Sequence, residues 1–281
     1  VSRSANEVRR GAPSAETWQD ERVEFQESIE AVLETAVTAA KAAGSIHRQF
    51  AGRALHVRTK SSASDLVTEV DALAEAAIRE VILARFPDHA ILGEEEGAVG
   101  SSPARWVVDP LDGTVNYAHG FPVSCASVAF EWNGRRLAGA VYDQGRDELF
   151  TATLGGGAFL NGAPLAVSTT PSVSAPALLA TGFPYDPEDT RNFERFRRLL
   201  AMGVPIRRPG AAALDLCYVA AGRLDGYWEF GLHPWDAAAG SLIVEEAGGR
   251  VTDGGGASTP YGEMILATNG LFHSELLGAL A

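Results

Sequence analysis

At 281 residues, 46% of them hydrophobic, the chain can bury one large core or two modest ones, and a formal charge of −13 with a pI near 4.9 opposes direct contact with a nucleic acid backbone. Two cysteines, Cys125 and Cys217, stand far apart without metal-ligand spacing, which argues against a disulfide framework or a zinc site and fits a reducing cytoplasm. No apolar run reaches the roughly 20 residues of a membrane span, and the polar opening VSRSANEVRRGAPSAETWQDE lacks a signal-peptide core, so residues 1–21 are expected to form a flexible extension.

From Glu21 the texture changes: Phe25, Ile29, Val32, Leu33, Ala36, Val37 and Ala40 recur at three- and four-residue spacing, which predicts a long amphipathic helix. The polar, loop-like TKSSASDLVTEV separates it from a second helix over DALAEAAIREVILARF. That helix opens at Asp71, keeps Leu73, Ala77, Ile78, Val81 and Ile82 on one side, and ends before Pro87. HAIL, RWVVD, CASVAFEW, RLAGAVYD, DELFTATL and GAFLNG then predict strands of one sheet, with hairpins at NG and GGG. AVSTTPSVSAP reads as a linker. Beyond it, PALLATGF predicts a strand, and NFERFRRLLAM a helix with Phe193, Phe196, Leu199 and Leu200 on its apolar side. AAALDLCYVAAG predicts another helix, LDGYWEF a strand, WDAAAGSLIVEEAGG a helix closed by glycine, and EMILAT a late strand. Alternating helices and strands imply a layered α/β (α+β) fold, with domains expected over residues 22–167 and 168–281.

WVVDPLDGT ends a predicted strand with Asp109 and Asp112 three residues apart. Pro110 leaves the ladder and Asp112-Gly113 makes a turn, so both carboxylates can face one spot, with the Leu111 carbonyl as a third hard oxygen for a divalent cation. Asp-Gly is equally a common turn pair, and this stretch alone leaves both readings open. Glu94 in GEEEG follows another predicted strand, whereas Glu95 and Glu96 read as a solvated charge run. Asp236 in HPWDAAAG and Asp71 both stand where an aspartate N-cap would, a role that needs no metal. Together, several carboxylates at element ends with few basic neighbours repel one another unless cations neutralise them. Gly113 and Thr114 add close backbone approach, a hydroxyl and the first N–H groups of a short helix, an anion site beside the cation site. Metals bridged by phosphate fit that pair, and they supply what hydrolysis of a phosphate monoester demands.

GEEEG, WVVDPLDGTVNYAHGFP and GLHPWDAAAG, in this order, resemble the inositol monophosphatase family of metal-dependent, lithium-sensitive phosphatases, in particular its bacterial inositol-1-monophosphatase branch. KSSASDLVTEVD, GGGAFLNG and RRPGAAALDLCYVAAGRLDGYWEFG extend the resemblance from about Phe25 to the C-terminus. It implies a five-layer αβαβα sugar-phosphatase fold and a cytoplasmic, homodimeric phosphomonoesterase that hydrolyses inositol monophosphates. Two or three Mg²⁺ ions are implied as cofactors, with Mn²⁺ as a substitute and Li⁺ as an inhibitor. Glu94, Asp109, Asp112, Asp236 and the Leu111 carbonyl are the implied metal ligands. Thr114, hydrogen-bonded to Asp71, is implied to help Glu94 and a metal deprotonate the attacking water. Phosphate would lie against Gly113 and Thr114, and inositol hydroxyls against Asp112, Ala212 and Glu229. Lys60 matches a basic loop position near the site, and His233 and Trp235 are expected to pack around Asp236. No HxH, HExxH or GxSxG pattern offers a protein nucleophile. Histidinol phosphate, fructose 1,6-bisphosphate and 3′-phosphoadenosine 5′-phosphate are the alternative substrates, and a regulatory binding protein on the same fold is the alternative of another class. Pro209 and the extra acid in GEEEG depart from the family pattern at the substrate loop and the rim.

Overall fold

The structure is a computed structural model that describes residues 25, 27–53, 55, 57–59, 66–186 and 188–281. Lys60 lies outside the described residues. Helix α1 (Ile29–Phe50) begins where the Ser28 hydroxyl accepts the Ala31 N–H, and it buries a stripe of small residues, Val32, Ala36, Ala39, Ala40 and Ala43. It starts later than the periodicity from Glu21 implies, and Phe25 instead packs from outside the helix, its ring tilted against those of Phe130 and Trp132. Where a loop was expected, β1 (Arg58–Thr59) and β2 (Leu66–Val67) pair antiparallel. Helix α2 (Glu69–Arg85) is capped by Thr68, and Asp71 sits at its third position rather than at the N-cap. There Asp71 Oδ2 accepts the Thr68 N–H at 2.8 Å and the Thr68 hydroxyl at 2.7 Å. The buried side of α2 is Val70, Ala74, Ile78 and Ile82 with the polar Asp71, Glu75 and Arg79, while Leu73 is 44% exposed. The polar residues turn this helix away from its purely apolar face because each has a buried partner to reach.

The main sheet takes the order β10-β9-β8-β7-β6-β5-β3-β4, from β3 (Ala90–Gly93), β4 (Gly97–Val99), β5 (Ala104–Asp112), β6 (Cys125–Trp132), β7 (Arg135–Asp143), β8 (Glu148–Thr153), β9 (Gly157–Leu160) and β10 (Ala163–Pro164). The six expected strands are present, five of them within a residue or two, while β5 runs three residues past RWVVD to Asp112. β4 and β10 are too short to leave a pattern. Among the described strands of this sheet, only β3 and β5 pair parallel. After β5, the short helix α3 (Thr114–Ala118) starts at once. A second sheet has the order β12-β11-β13-β15-β14, from β11 (Leu179–Thr181), β12 (Ile206–Arg207), β13 (Gly226–Phe230), β14 (Arg250–Asp253) and β15 (Met264–Thr268).

Four further helices, α4 (Arg191–Ala201), α5 (Ala212–Ala220), α6 (Pro234–Glu246) and α7 (His273–Leu280), complete five layers. α1 and α2 cover one face of the large sheet, α5 and α6 lie between the two sheets, and α4 and α7 cover the far face of the small one. The run Ala237, Ala238, Ala239, Gly240 is buried because α6 is covered on both sides, and only small residues permit that approach. A Cβ on Gly139 of β7 would stand 3.1 Å from the Ala239 Cα. On α4 the buried residues are Asn192 and Leu199, whereas Phe193 and Leu200, expected inside, are 54% and 48% exposed. Asn192 sets that rotation: its amide donates to Thr181 Oγ1 and the Gly182 carbonyl and accepts from Trp228 Nε1.

Candidate active site

Parallel pairing of β3 with β5 ends with Gly93 opposite Val108, so the next residues, Glu94 just past β3 and Asp109 within β5, come side by side where that pairing stops. The turn carrying Glu94 is held from beneath. Glu75 on α2, buried together with Arg79, accepts the Glu95 N–H at 2.8 Å and the Glu96 N–H at 3.1 Å, and pairs with Arg79 at 2.8 Å. The Glu96 side chain is 62% exposed, as a solvated charge run implies, while beneath it a buried carboxylate organises the backbone of Glu95 and Glu96. Gly93 is required because a Cβ there would fall 2.4 Å from Glu75 Oε1. Glu75→Ala should cost about 3 kcal/mol or more in urea unfolding, since Arg79 stays buried with its main partner gone. A loss under about 1 kcal/mol would show that the pair does not hold this turn.

Between Asp109 and Asp112, β5 slips out of register with β6: Asp109 faces Ser127 but Asp112 faces Cys125. Pro110 cannot donate to a ladder, and the resulting bulge re-aims both acids. Asp109 Oδ1 accepts the Leu111 N–H at 3.0 Å. Gly113 follows with φ +85, a conformation in which a side chain is strained. Thr114 Oγ1 then lies 2.9 Å from both Asp71 Oδ1 and the Leu111 carbonyl, with one proton to donate. The C-terminal half closes the site. The first turn of α5 offers the Ala212 N–H to Asp112 Oδ1 at 3.2 Å and the Ala213 N–H to Asp112 Oδ2 at 2.7 Å. Asp236 is at the third position of α6, not its N-cap, and accepts the His233 N–H at 2.7 Å. The His233 and Trp235 rings stack at 4.8 Å beside it, the packing role expected of them.

A cleft of about 460 Å³ is lined by Glu94, Asp112, Gly113, Ala212, Glu229 and Asp236, with Arg208 on its wall. Asp109, 2% exposed, does not line it. Burial first, then the charges of Glu94, Asp112 and Asp236, hold the Asp109 carboxyl well above the usual carboxylate range. Burial, Asp112 and Glu94 do the same to Asp236. Burial pushes Asp112 up to about 6, with the Ala213 N–H pulling the other way and Glu94 adding to the rise. Asp71 is raised by burial, against the hydrogen bonds from Thr68 and Thr114. The acids singled out in the sequence thus share one electrostatic neighbourhood, although among the described residues no three Asp, Glu, His or Cys side chains form a closed ligand cluster.

Glu229 on β13 is half-buried in the cleft wall and accepts the Tyr227 hydroxyl. Gly182 leaves room for it, since a Cβ there would stand 2.1 Å from the carboxylate oxygens. Burial pushes Glu229 up to about 7, Tyr227 opposes this, Asp112 adds to it, and Arg208 lowers it. Sequence reasoning gave no role to Arg208, Tyr227, Gly182 or Glu75. An acid and a base four apart on α2 were the one available signal, for Glu75 and Arg79. The Glu229 shift carries a pH prediction. Its folded pKa, about 7, exceeds its ordinary 4.5, so the folded state holds the proton more tightly. The stabilisation is full below pH 4.5 and is lost as pH rises through 7. The Tm of metal-free protein should therefore fall across that window, and Glu229→Gln should flatten the fall. An unchanged slope would remove Glu229 from the electrostatics of the cleft.

Fold and cleft together define a layered α/β protein with a carboxylate-lined cleft. Residues 28–281 match the inositol monophosphatase family, and the chain belongs to it. It is 48% identical over 255 residues to the inositol-1-monophosphatase of Synechocystis sp., covering 89% of this chain and 88% of that protein. It is 45% identical over 234 residues to Nus factor SuhB of Pseudomonas aeruginosa, covering 80% and 86%. Among solved structures, extragenic suppressor protein suhB from Bartonella henselae shares 41% identity with a TM-score of 0.85, covering 89% of this chain and 98% of that one.

Proposed function

We propose that this enzyme hydrolyses inositol monophosphates to inositol and phosphate with Mg²⁺ as its cofactor. The observation that carries the proposal is the convergence of Glu94, Asp112 and Asp236 on one cleft, with Asp109 close enough to feel all three. Every neighbour that raises Asp109 is another carboxylate, so the donor set is hard, oxygen-only and short of positive charge, which fits a divalent cation. Glu94, Asp109, Asp112, Asp236 and the Leu111 carbonyl would hold two or three such ions, with Mn²⁺ as a substitute. Bound there, they would supply neutralisation of the phosphoryl oxygens and a water of lowered pKa. The chain's own groups do the rest. Glu94, with the Thr114–Asp71 pair, holds the attacking water and takes its proton, and the backbone at Gly113 and Thr114 receives the phosphate oxygens. Asp112, Ala212 and Glu229 orient the inositol ring, and a carboxylate at Glu229 favours a polyol that can donate hydroxyl protons to it.

Phosphate release from inositol 1-phosphate should require Mg²⁺, vanish in EDTA and fall with Li⁺. Histidinol phosphate, fructose 1,6-bisphosphate and 3′-phosphoadenosine 5′-phosphate should turn over more slowly, and equal or faster release from histidinol phosphate would overturn the substrate assignment. A cytoplasmic homodimer belongs to the same proposal; no described helix is long and apolar enough to cross a membrane. Retention of the acids favours hydrolysis over a purely regulatory role.

A further inference from the structure

His47 stands apart from the acids of the cleft, on α1 among small apolar residues, and is fully buried. Its Nε2 lies 2.8 Å from the Pro110 carbonyl. Pro110 sits in the β5 bulge between Asp109 and Leu111, where neither β3 nor β6 offers that carbonyl a ladder partner. A carbonyl only accepts, so Nε2 carries the ring proton. Burial keeps the imidazole neutral, its pKa pulled down to about 4. Nδ1 is then an acceptor, yet the Gln144 amide oxygen is placed 3.2 Å from it. Turning that amide by a half-rotation resolves the clash: its NH₂ donates to Nδ1, and the Ser124 hydroxyl, 2.9 Å from its other end, donates to the oxygen. A chain of hydrogen bonds then runs from Ser124 through Gln144 and His47 to Pro110.

The same residue also grips the loop further along. Its backbone carbonyl accepts the Tyr117 hydroxyl at 2.6 Å, from the helix that follows Gly113. Gly44, one turn earlier, lets α1 come this near, because a Cβ there would meet the Tyr142 ring at 2.5 Å. An apolar side chain would fill the position without the desolvation cost that a buried imidazole carries.

We propose that His47 is a positioning residue of the metal site, fixing through the Pro110 carbonyl the spacing between the Asp109 carboxylate and the Leu111 carbonyl. It rests on the reading above, that these oxygens hold a divalent cation. The role is distinct from any contact with substrate, so it should move cation affinity and leave KM at saturating cation alone.

Mn²⁺ titration of the full chain, followed by electron paramagnetic resonance, tests it. His47→Leu should bind Mn²⁺ about 10- to 100-fold more weakly, the usual effect of losing an outer partner of a ligand. His47→Gln, whose amide can donate to the same carbonyl, should recover most of the loss. Wild-type Mn²⁺ affinity in His47→Leu, or a weakening that His47→Gln does not reverse, would overturn the proposal. Should His47→Leu fail to fold, Gln144→Leu, which frees the ring, carries the test: weaker Mn²⁺ binding supports the proposal and wild-type binding overturns it. Wild-type protein that binds no Mn²⁺ would overturn the cation reading itself, a result separable from the other two.

Discussion

Asp109→Asn should abolish measurable phosphate release and, at the same time, raise the Tm of the metal-free protein. Asp109 is buried, and the charges that act on it are those of Glu94, Asp112 and Asp236. With its carboxyl held well above the usual range, the folded state works against its ionisation at neutral pH. Asparagine keeps the shape and removes that repulsion, so the metal-free fold gains. It also removes an anionic ligand, and the several kcal/mol of charge stabilisation a cation supplies corresponds to roughly 10³-fold in rate at about 1.4 kcal/mol per decade. Opposite signs for stability and turnover are what a site selected for chemistry, against its own folding, should give. Calorimetry in EDTA and a phosphate assay in Mg²⁺ read the two effects. Near-wild-type turnover, or a lower metal-free Tm, would show that the acids are not coupled in this way.

Gly113→Ala should lose both stability and activity, for reasons that separate from each other. At φ +85 an alanine is strained by about 1–2 kcal/mol before any contact is considered. Its Cβ would also stand 2.7 Å from the Val123 carbonyl and 3.3 Å from the Ala211 Cβ, so the backbone between Asp112 and Thr114 must shift. A displacement of about 1 Å at reacting groups costs on the order of 10²-fold in rate. Gly120→Ala is the control. Gly120 has φ +68 with open space around the added carbon, so its variant carries the strain alone. It should show a Tm lowered by a few degrees with kcat preserved, and an equal kcat loss in both variants would refute the steric account.

The acids could be found in the sequence because each adjoins a run with its own signature: apolar RWVV before Asp109, AILG before Glu94, and a glycine-closed helix after Asp236. The strands of the large sheet were legible for the same reason, as alternation and turn chemistry act over a few residues. Errors gathered where a buried polar group overrode periodicity. Asp71 and Asp236 each moved from the N-cap to the third helical position, where their carboxylates accept the backbone N–H at the cap. On α4, Asn192 rather than Phe193 faces inward because Trp228 and Thr181 wait there for its amide.

The sequence by itself determined the longer strands, most of the helices, the acids beside them and the family they belong to, since these are written in local spacing and residue type. Tertiary structure alone decided that Glu94, Asp112, Glu229 and Asp236 face one cleft, that Glu75 props the first of them, and that His47 reaches the bulge after Asp109. Those relations join residues more than a hundred positions apart, such as the Ala213 N–H to Asp112, 101 positions away. No short-range pattern encodes them. They exist because burying two sheets against one shared helical layer brings the strand ends and helix starts of both halves to a single edge, and there each carboxylate takes its position from a partner supplied by a distant part of the chain.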